Sequence, residues 1–207
     1  MVVRRGEVYE NPACGERVVI RVGNDVTNGE RILWDLYLEP GGAVVGEHYH
    51  PSIEERFTLL EGKLGVRLAG RTQIVDRIGA SVLAPANTPH YWWNASDEPA
   101  RILVEVRGAS ERFEQMVFRQ LFSLAQDGST NAEGMPNLWQ TAVTALEFED
   151  VMRFSKPPWF LQRLIFKVLS PIARLRGYEG YYAKYQDRKP SGMAEPEALP
   201  PGVIVDE

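Results

Sequence analysis

The sequence predicts a mainly β fold, an antiparallel barrel or double-sheet jelly roll, with an α-helical extension behind it. Three observations carry this. Between about residues 17 and 107, short β-rich runs alternate with Gly and Pro punctuation. After Gly108 the apolar spacing changes from two residues to that of a helix. Of the 207 residues, 44% are hydrophobic and 25% charged, enough apolar material for one compact core and not for a multidomain assembly.

The elements follow in order. Val18-Val19-Ile20-Arg21-Val22 is β-branched, and the Asn28-Gly29 pair after it predicts a hairpin turn, because both residues tolerate positive φ. Ile32, Trp34, Leu36 and Leu38 then alternate with Asp35, Tyr37 and Glu39, the period of a half-buried strand. Pro40-Gly41-Gly42 ends it. Further strands are expected at 44–50, 54–60, 63–69, 72–75, 80–84, 89–94 and 101–107, separated by Gly62, Gly70, Gly79, Pro85 and Pro99.

Phe113, Val117, Leu121 and Leu124 place a helix over 110–126, stopped by Asp127-Gly128. A second is expected over 137–152. Pro157-Pro158 opens a third over 158–176, whose apolar residues fall on one stripe and which Pro171 is expected to kink. The domains implied are a barrel at 1–108, a helical extension packed on it at 109–185, and a loosely ordered tail at 186–207 that holds four prolines.

Charge and composition exclude several function classes. With 23 Lys+Arg against 28 Asp+Glu the net charge is −5, so a global electrostatic case for nucleic acid is absent. The one cysteine, Cys14, allows neither an intrachain disulfide nor a multi-cysteine zinc site, and it lies outside every motif. No stretch has the length and apolarity of a secretory signal or a bilayer span, so a cytoplasmic location is expected. Between Arg153 and Lys189, however, nine Lys or Arg stand against Glu179 and Asp187. The third helix is therefore basic and amphipathic. It is expected to pack on the barrel with its charges in water, with contact to a membrane surface as a minor alternative and a lid over the barrel mouth as another.

The chemistry-bearing residues are few. His48, His50 and His90 are the chain's whole supply of histidine. His48 and His50, two apart on a strand, project from the same face. On the next strand Glu55 shares its face with Phe57 and Leu59, whereas Glu54 goes with the polar Arg56 and Thr58. His90 shares a face with Trp92. Tyr91 and Trp93 point the other way and, with Tyr49, are expected to pack under helices or at a dimer contact.

Gly42, His48, His50, Glu55 and Gly62 stand at the spacing of the first motif of the cupin superfamily, and Gly79, Pro85, His90 and Asn94 at that of the second. The segment from about 30 to 107 thus resembles a cupin. Asn87 replaces a motif glycine, a mild departure because Asn tolerates the left-handed conformation. The resemblance implies a jelly-roll barrel holding one divalent ion, Fe, Mn, Ni, Cu or Zn, through His48, His50, Glu55 and His90. Phe57, Leu59 and Trp92 would then wall a pocket for a small-molecule ligand. The middle histidine sets the motif apart from that of the 2-oxoglutarate oxygenases, and the full ligand set from the metal-free sugar epimerases. Cupins with this set include oxygenases, oxidases, isomerases, decarboxylases and plain binding proteins. The reading favoured is a dioxygenase-like small-molecule oxidoreductase, and a homodimer is expected by the same resemblance. A non-catalytic metal- or ligand-binding protein, or a regulatory module acting through its C-terminal helices, stays open.

Overall fold

The computed structural model of the chain describes residues 2–205. In chain order its strands are β1 (Glu7–Asn11), β2 (Glu16–Val22), β3 (Arg31–Leu38), β4 (His48–Tyr49), β5 (Glu54–Glu61) and β6 (Leu64–Leu68). They continue as β7 (Arg71–Val75), β8 (Ser81–Ala84), β9 (His90–Asn94), β10 (Ala100–Arg107), β11 (Arg153–Phe154) and β12 (Gly192–Met193). Two sheets form, ordered β12-β1-β2-β3-β10-β5-β8 and β11-β4-β9-β6-β7. All pairings are antiparallel. The expected jelly roll is present. Its core lies between the sheets, where alternate residues such as Ile20, Trp34, Leu36, Phe57, Val66, Ile102 and Val104 are buried together.

The Asn28-Gly29 pair takes positive φ at both residues, 51° and 86°, as its chemistry demands. It does so as the exit from a single helical turn, α1 (Asn24–Thr27), and not as a two-residue hairpin. The strand expected over 44–50 shrinks to His48–Tyr49, with a lone bridge from Ala43 to Trp93. β1, which lies between β12 and β2 and has little periodicity of its own, lies outside the expected set.

The extension begins with a continuous helix over 111–126: α2 (Glu111–Glu114), a π-helical stretch (Gln115–Leu121) and α3 (Phe122–Gln126). A turn bonded to the fifth residue advances less angle per residue than an α-turn. The wider turn brings Phe118 and Phe122 toward the side that carries Phe113, all three against the barrel interior. α4 (Leu138–Glu147) is shorter than the helix expected over 137–152. Asn137 caps it, its side chain accepting from the amides of Trp139 and Gln140. α5 (Trp159–Leu175) and α6 (Ala183–Gln186) follow. No helix among the described residues is long and apolar enough to cross a membrane.

Two expectations need correction. α5 buries Gln162, Phe166, Ser170 and Ala173, and turns its apolar stripe outward instead of onto the barrel. Its inner face meets α4, where Ala142 and Ala145 pack against Phe166, with Trp159, Leu169 and Leu146 partly buried around them. The tail expected to be loose is seated on the protein. β12 pairs with β1, and Leu199, Val203 and Val205 cover Val22, Leu33, Leu60 and Leu103 on the outer face of the larger sheet. The physical reason is a buried charge. Asp35 sits between Arg21 at 2.9 Å and Arg101 at 3.3 Å, and the carbonyl of Glu197 accepts from both guanidinium groups. Two cations around one carboxylate would otherwise leave buried N–H groups unsatisfied, and the tail supplies the missing acceptors.

Candidate metal centre

The four residues singled out in the sequence converge. His48 on β4 lies directly opposite His90 on β9, His50 follows two residues after His48, and Glu55 enters from β5. All four are buried, and one ligand atom from each lies within 4.8 Å of the others. The ring centroids are 4.5 Å apart for His48 and His90, 5.1 Å for His48 and His50, and 5.6 Å for His50 and His90.

The backbone fixes the imidazole tautomers. Nδ1 of His48 lies 3.0 Å from the Gly46 carbonyl, that of His50 2.7 Å from Val151, and that of His90 3.0 Å from Thr88. A carbonyl only accepts, so each Nδ1 carries a proton, and a ring in its neutral form presents the bare lone pair of Nε2. Nε2 of His50 and of His90 are buried with no hydrogen-bond partner, facing Glu55 oxygens at 3.5 and 2.9 Å. Buried acceptors left bare in a ring around one carboxylate suit a divalent first-row ion, and a water-filled site much less well.

The electrostatics agree. Burial, helped by the other two imidazoles, pushes His48 down to about 3, and burial pulls His50 down as well. Burial alone would raise the Glu55 carboxyl, yet the surrounding histidines, His50 foremost, hold it near 2. His90 is pulled down by burial and more than recovered by the adjacent Glu55 carboxylate, so it ends above its ordinary value. The site thus combines two neutral imidazoles, one ionised carboxylate and a third imidazole held against that carboxylate.

His48 and Glu55 open onto a cavity of about 110 Å³ inside the barrel. That is space for a molecule of about the size of one substituted ring. Phe57, Trp92 and Trp34 line it. Leu59 does not. It is fully buried in the core, two pleats along β5 from Glu55 and therefore about 13 Å away. The opposite wall comes from the extension: Phe113, Phe118, Phe122, Phe148 and Phe154. Besides His48 and Glu55, Asn11 and Glu16 bring polar groups to the cavity. Asn11 Nδ2 donates to Glu16 at 2.9 Å, while burial lifts the Glu16 carboxyl to about 8.

Several functional contributions carry no motif. Val151 holds His50 through its backbone oxygen, which no residue type advertises. Asn87 takes φ 62°, the left-handed conformation expected of it. Its amide also donates to the His50 carbonyl at 2.7 Å and its side chain to the Pro51 carbonyl at 3.0 Å, so the second motif clamps the first. Asn94 Nδ2 donates to the carbonyls of Leu38 and Glu98, tying β9 to the opposite sheet. Tyr91 and Trp93 stack on the outer face, where Trp93 covers Gly65 so closely that a Cβ there would lie 2.1 Å from its ring. Cys14 is buried away from the centre, and burial lifts its thiol to about 12.

Comparison with known proteins bears on the same half of the chain. No curated protein matches it. Among solved structures, the TT1209 protein of Thermus thermophilus is 29% identical over 38% of this chain and 73% of its own, with a TM-score of 0.36. A sugar phosphate isomerase from a cupin superfamily of Silicibacter pomeroyi is 24% identical, over 52% of this chain and 70% of its own, at a TM-score of 0.41. A predicted oxalate decarboxylase of Thermotoga maritima is 21% identical, over 52% and 98%, at 0.44. The family model described as "Cupin domain" matches residues 34–106, from the strand that carries Trp34 to the end of β10, and encloses all four converging side chains. With the jelly roll, the two motifs and the buried histidine ring in place, the chain carries a cupin domain.

Proposed function

We propose that this protein is a metal-dependent, dioxygenase-like oxidoreductase for a small, largely apolar ring compound that offers one or two oxygen atoms. One observation carries the reading: His48 and Glu55 form the polar end of a cavity whose other walls are mostly apolar, with eight aromatic residues among them. His48, His50, Glu55 and His90 would hold the ion. A redox-active first-row ion in such a nest supplies Lewis acidity and one-electron chemistry.

The remaining work belongs to the chain itself. Phe57 and Trp92 provide faces against which an aromatic ring can lie. Phe113 and Phe118, from the extension, close the cavity and keep bulk water from the reacting end. Glu16, neutral through most of the physiological range, can donate a proton in a hydrogen bond to a ligand oxygen, and Asn11 keeps its other carboxyl oxygen occupied.

The test is oxygen consumption by protein loaded in turn with Fe(II), Mn(II), Ni(II) or Cu(II), across a panel of small aromatic diols and diketones. Uptake that depends on both one ion and one substrate class supports the reading. Silence with every ion, beside tight binding of a ring compound, would establish a binding protein in its place.

A further inference from the structure

α5 leaves seven large apolar side chains between Phe160 and Leu175 in solvent. Phe160 is 76% exposed, Leu164 62%, Val168 64% and Leu175 89%. At 100° per residue they fill an arc of roughly 140° facing directly away from Gln162, Phe166, Ser170 and Ala173. A stripe of this kind, about 22 Å long, is a larger apolar surface than a monomer usually leaves in water.

The charges that the helix itself carries are all of one sign. The helix contains no Asp or Glu. Arg163, Lys167 and Arg174 fall within about 40° of one another along one border of the stripe. Arg163 is engaged by Glu149 at 2.7 Å, whereas Lys167 and Arg174 make no ion pair among the described residues. Apolar groups in the middle and a cationic row at the margin match the boundary between acyl chains and anionic headgroups. A second copy of the chain fits less well, since its α5 would offer the row no acid. Nor is the helix a span: it has 17 residues and three cations, so it can lie on a bilayer but not pass through one.

We propose that α5 seats the protein on an anionic lipid surface, its apolar stripe in the acyl boundary and Lys167 and Arg174 over the headgroups. The placement is independent of the metal centre. It also sets the barrel close to the membrane, because Gln162, on the inner side of α5, donates at 2.8 Å to the carbonyl of Phe154, whose ring lines the cavity.

The test is co-sedimentation of the full chain with vesicles of phosphatidylcholine alone and of phosphatidylcholine mixed with phosphatidylglycerol. Binding should favour the mixed vesicles and weaken as salt rises. L164D/V168D should lower it by at least about tenfold. K167E/R174E should lower binding to the mixed vesicles about fivefold per charge and leave binding to phosphatidylcholine alone little changed. These positions are exposed, and an unchanged melting temperature verifies that each variant is folded. The proposal is overturned if the chain ignores both vesicle types, if it binds them equally, or if L164D/V168D binds as well as the parent. It is overturned equally by a dimer in sedimentation equilibrium that V168D splits, which would show the stripe covered by a second copy.

Discussion

The helix over 111–126 and α5 begin from similar sequences and end in opposite places. Both carry Phe, Leu and Val at helical spacing, and both follow the barrel. The first buries Phe113, Met116, Phe118 and Phe122, and the second exposes Phe160, Leu164, Val168 and Leu175. The difference lies in what each helix meets. The barrel offers the first a concave aromatic mouth, and its π-helical stretch widens the face that fills it. α4 offers the second a narrow surface around Ala142 and Ala145, which buries Phe166 and partly covers Trp159 and Leu169. Periodicity decides that a helix will have an apolar face; the shape of the neighbour decides where that face turns.

The strongest attack on this contrast is Phe118→Ala. Phe118 stacks on Tyr9 at 4.8 Å and meets Trp34 and Phe122 edge-on. Its loss should cost about 3–5 kcal/mol of unfolding free energy in urea titration. A cost below about 1 kcal/mol would mean that the helix does not plug the barrel.

Glu16→Gln tests the same wall from the polar side. The folded carboxyl titrates near 8 against 4.5 when exposed, so its contribution to stability is most favourable below 4.5 and is lost as pH climbs to 8. The variant, unable to ionise, should match it at low pH and exceed it at pH 8 by on the order of 4 kcal/mol. Parallel stability curves for the two proteins would contradict the buried placement of this carboxyl.

His90→Ala should reduce bound metal several-fold by elemental analysis while circular dichroism stays that of a β barrel. Unchanged stoichiometry would leave the fourfold ligand set untenable. At the other extreme, Leu164→Ala should shift unfolding by no more than about 0.5 kcal/mol, because its side chain is already in solvent. A loss of about 2 kcal/mol would show that the stripe is packed.

Much of this was legible in the chain. Alternation located β3 and β5, the two-residue offset of His48 and His50 put both imidazoles on one face, and the resemblance to the two cupin motifs brought in Glu55 and His90. What escaped notice did so for physical reasons. The carbonyl of Val151 has no side-chain signature. Leu59 shares the face of Glu55, but the period of a strand tells direction and not depth. The tail is poor in large apolar groups, and its order comes from backbone acceptors offered to Arg21 and Arg101. The stripe of α5 reads as a packing face until the helix is seen to meet α4 with its opposite side.

The hydrogen bond from His50 to Val151, together with β11 lying against β4, puts part of the extension inside the ligand nest. A cut after Gly108 would spare every metal-binding side chain yet free the His50 ring to rotate and strip β4 of its edge partner. Any effort to trim this protein to a minimal barrel should therefore lose the ion's grip before it loses the strands, since what orients one of its ligands is supplied a hundred residues downstream.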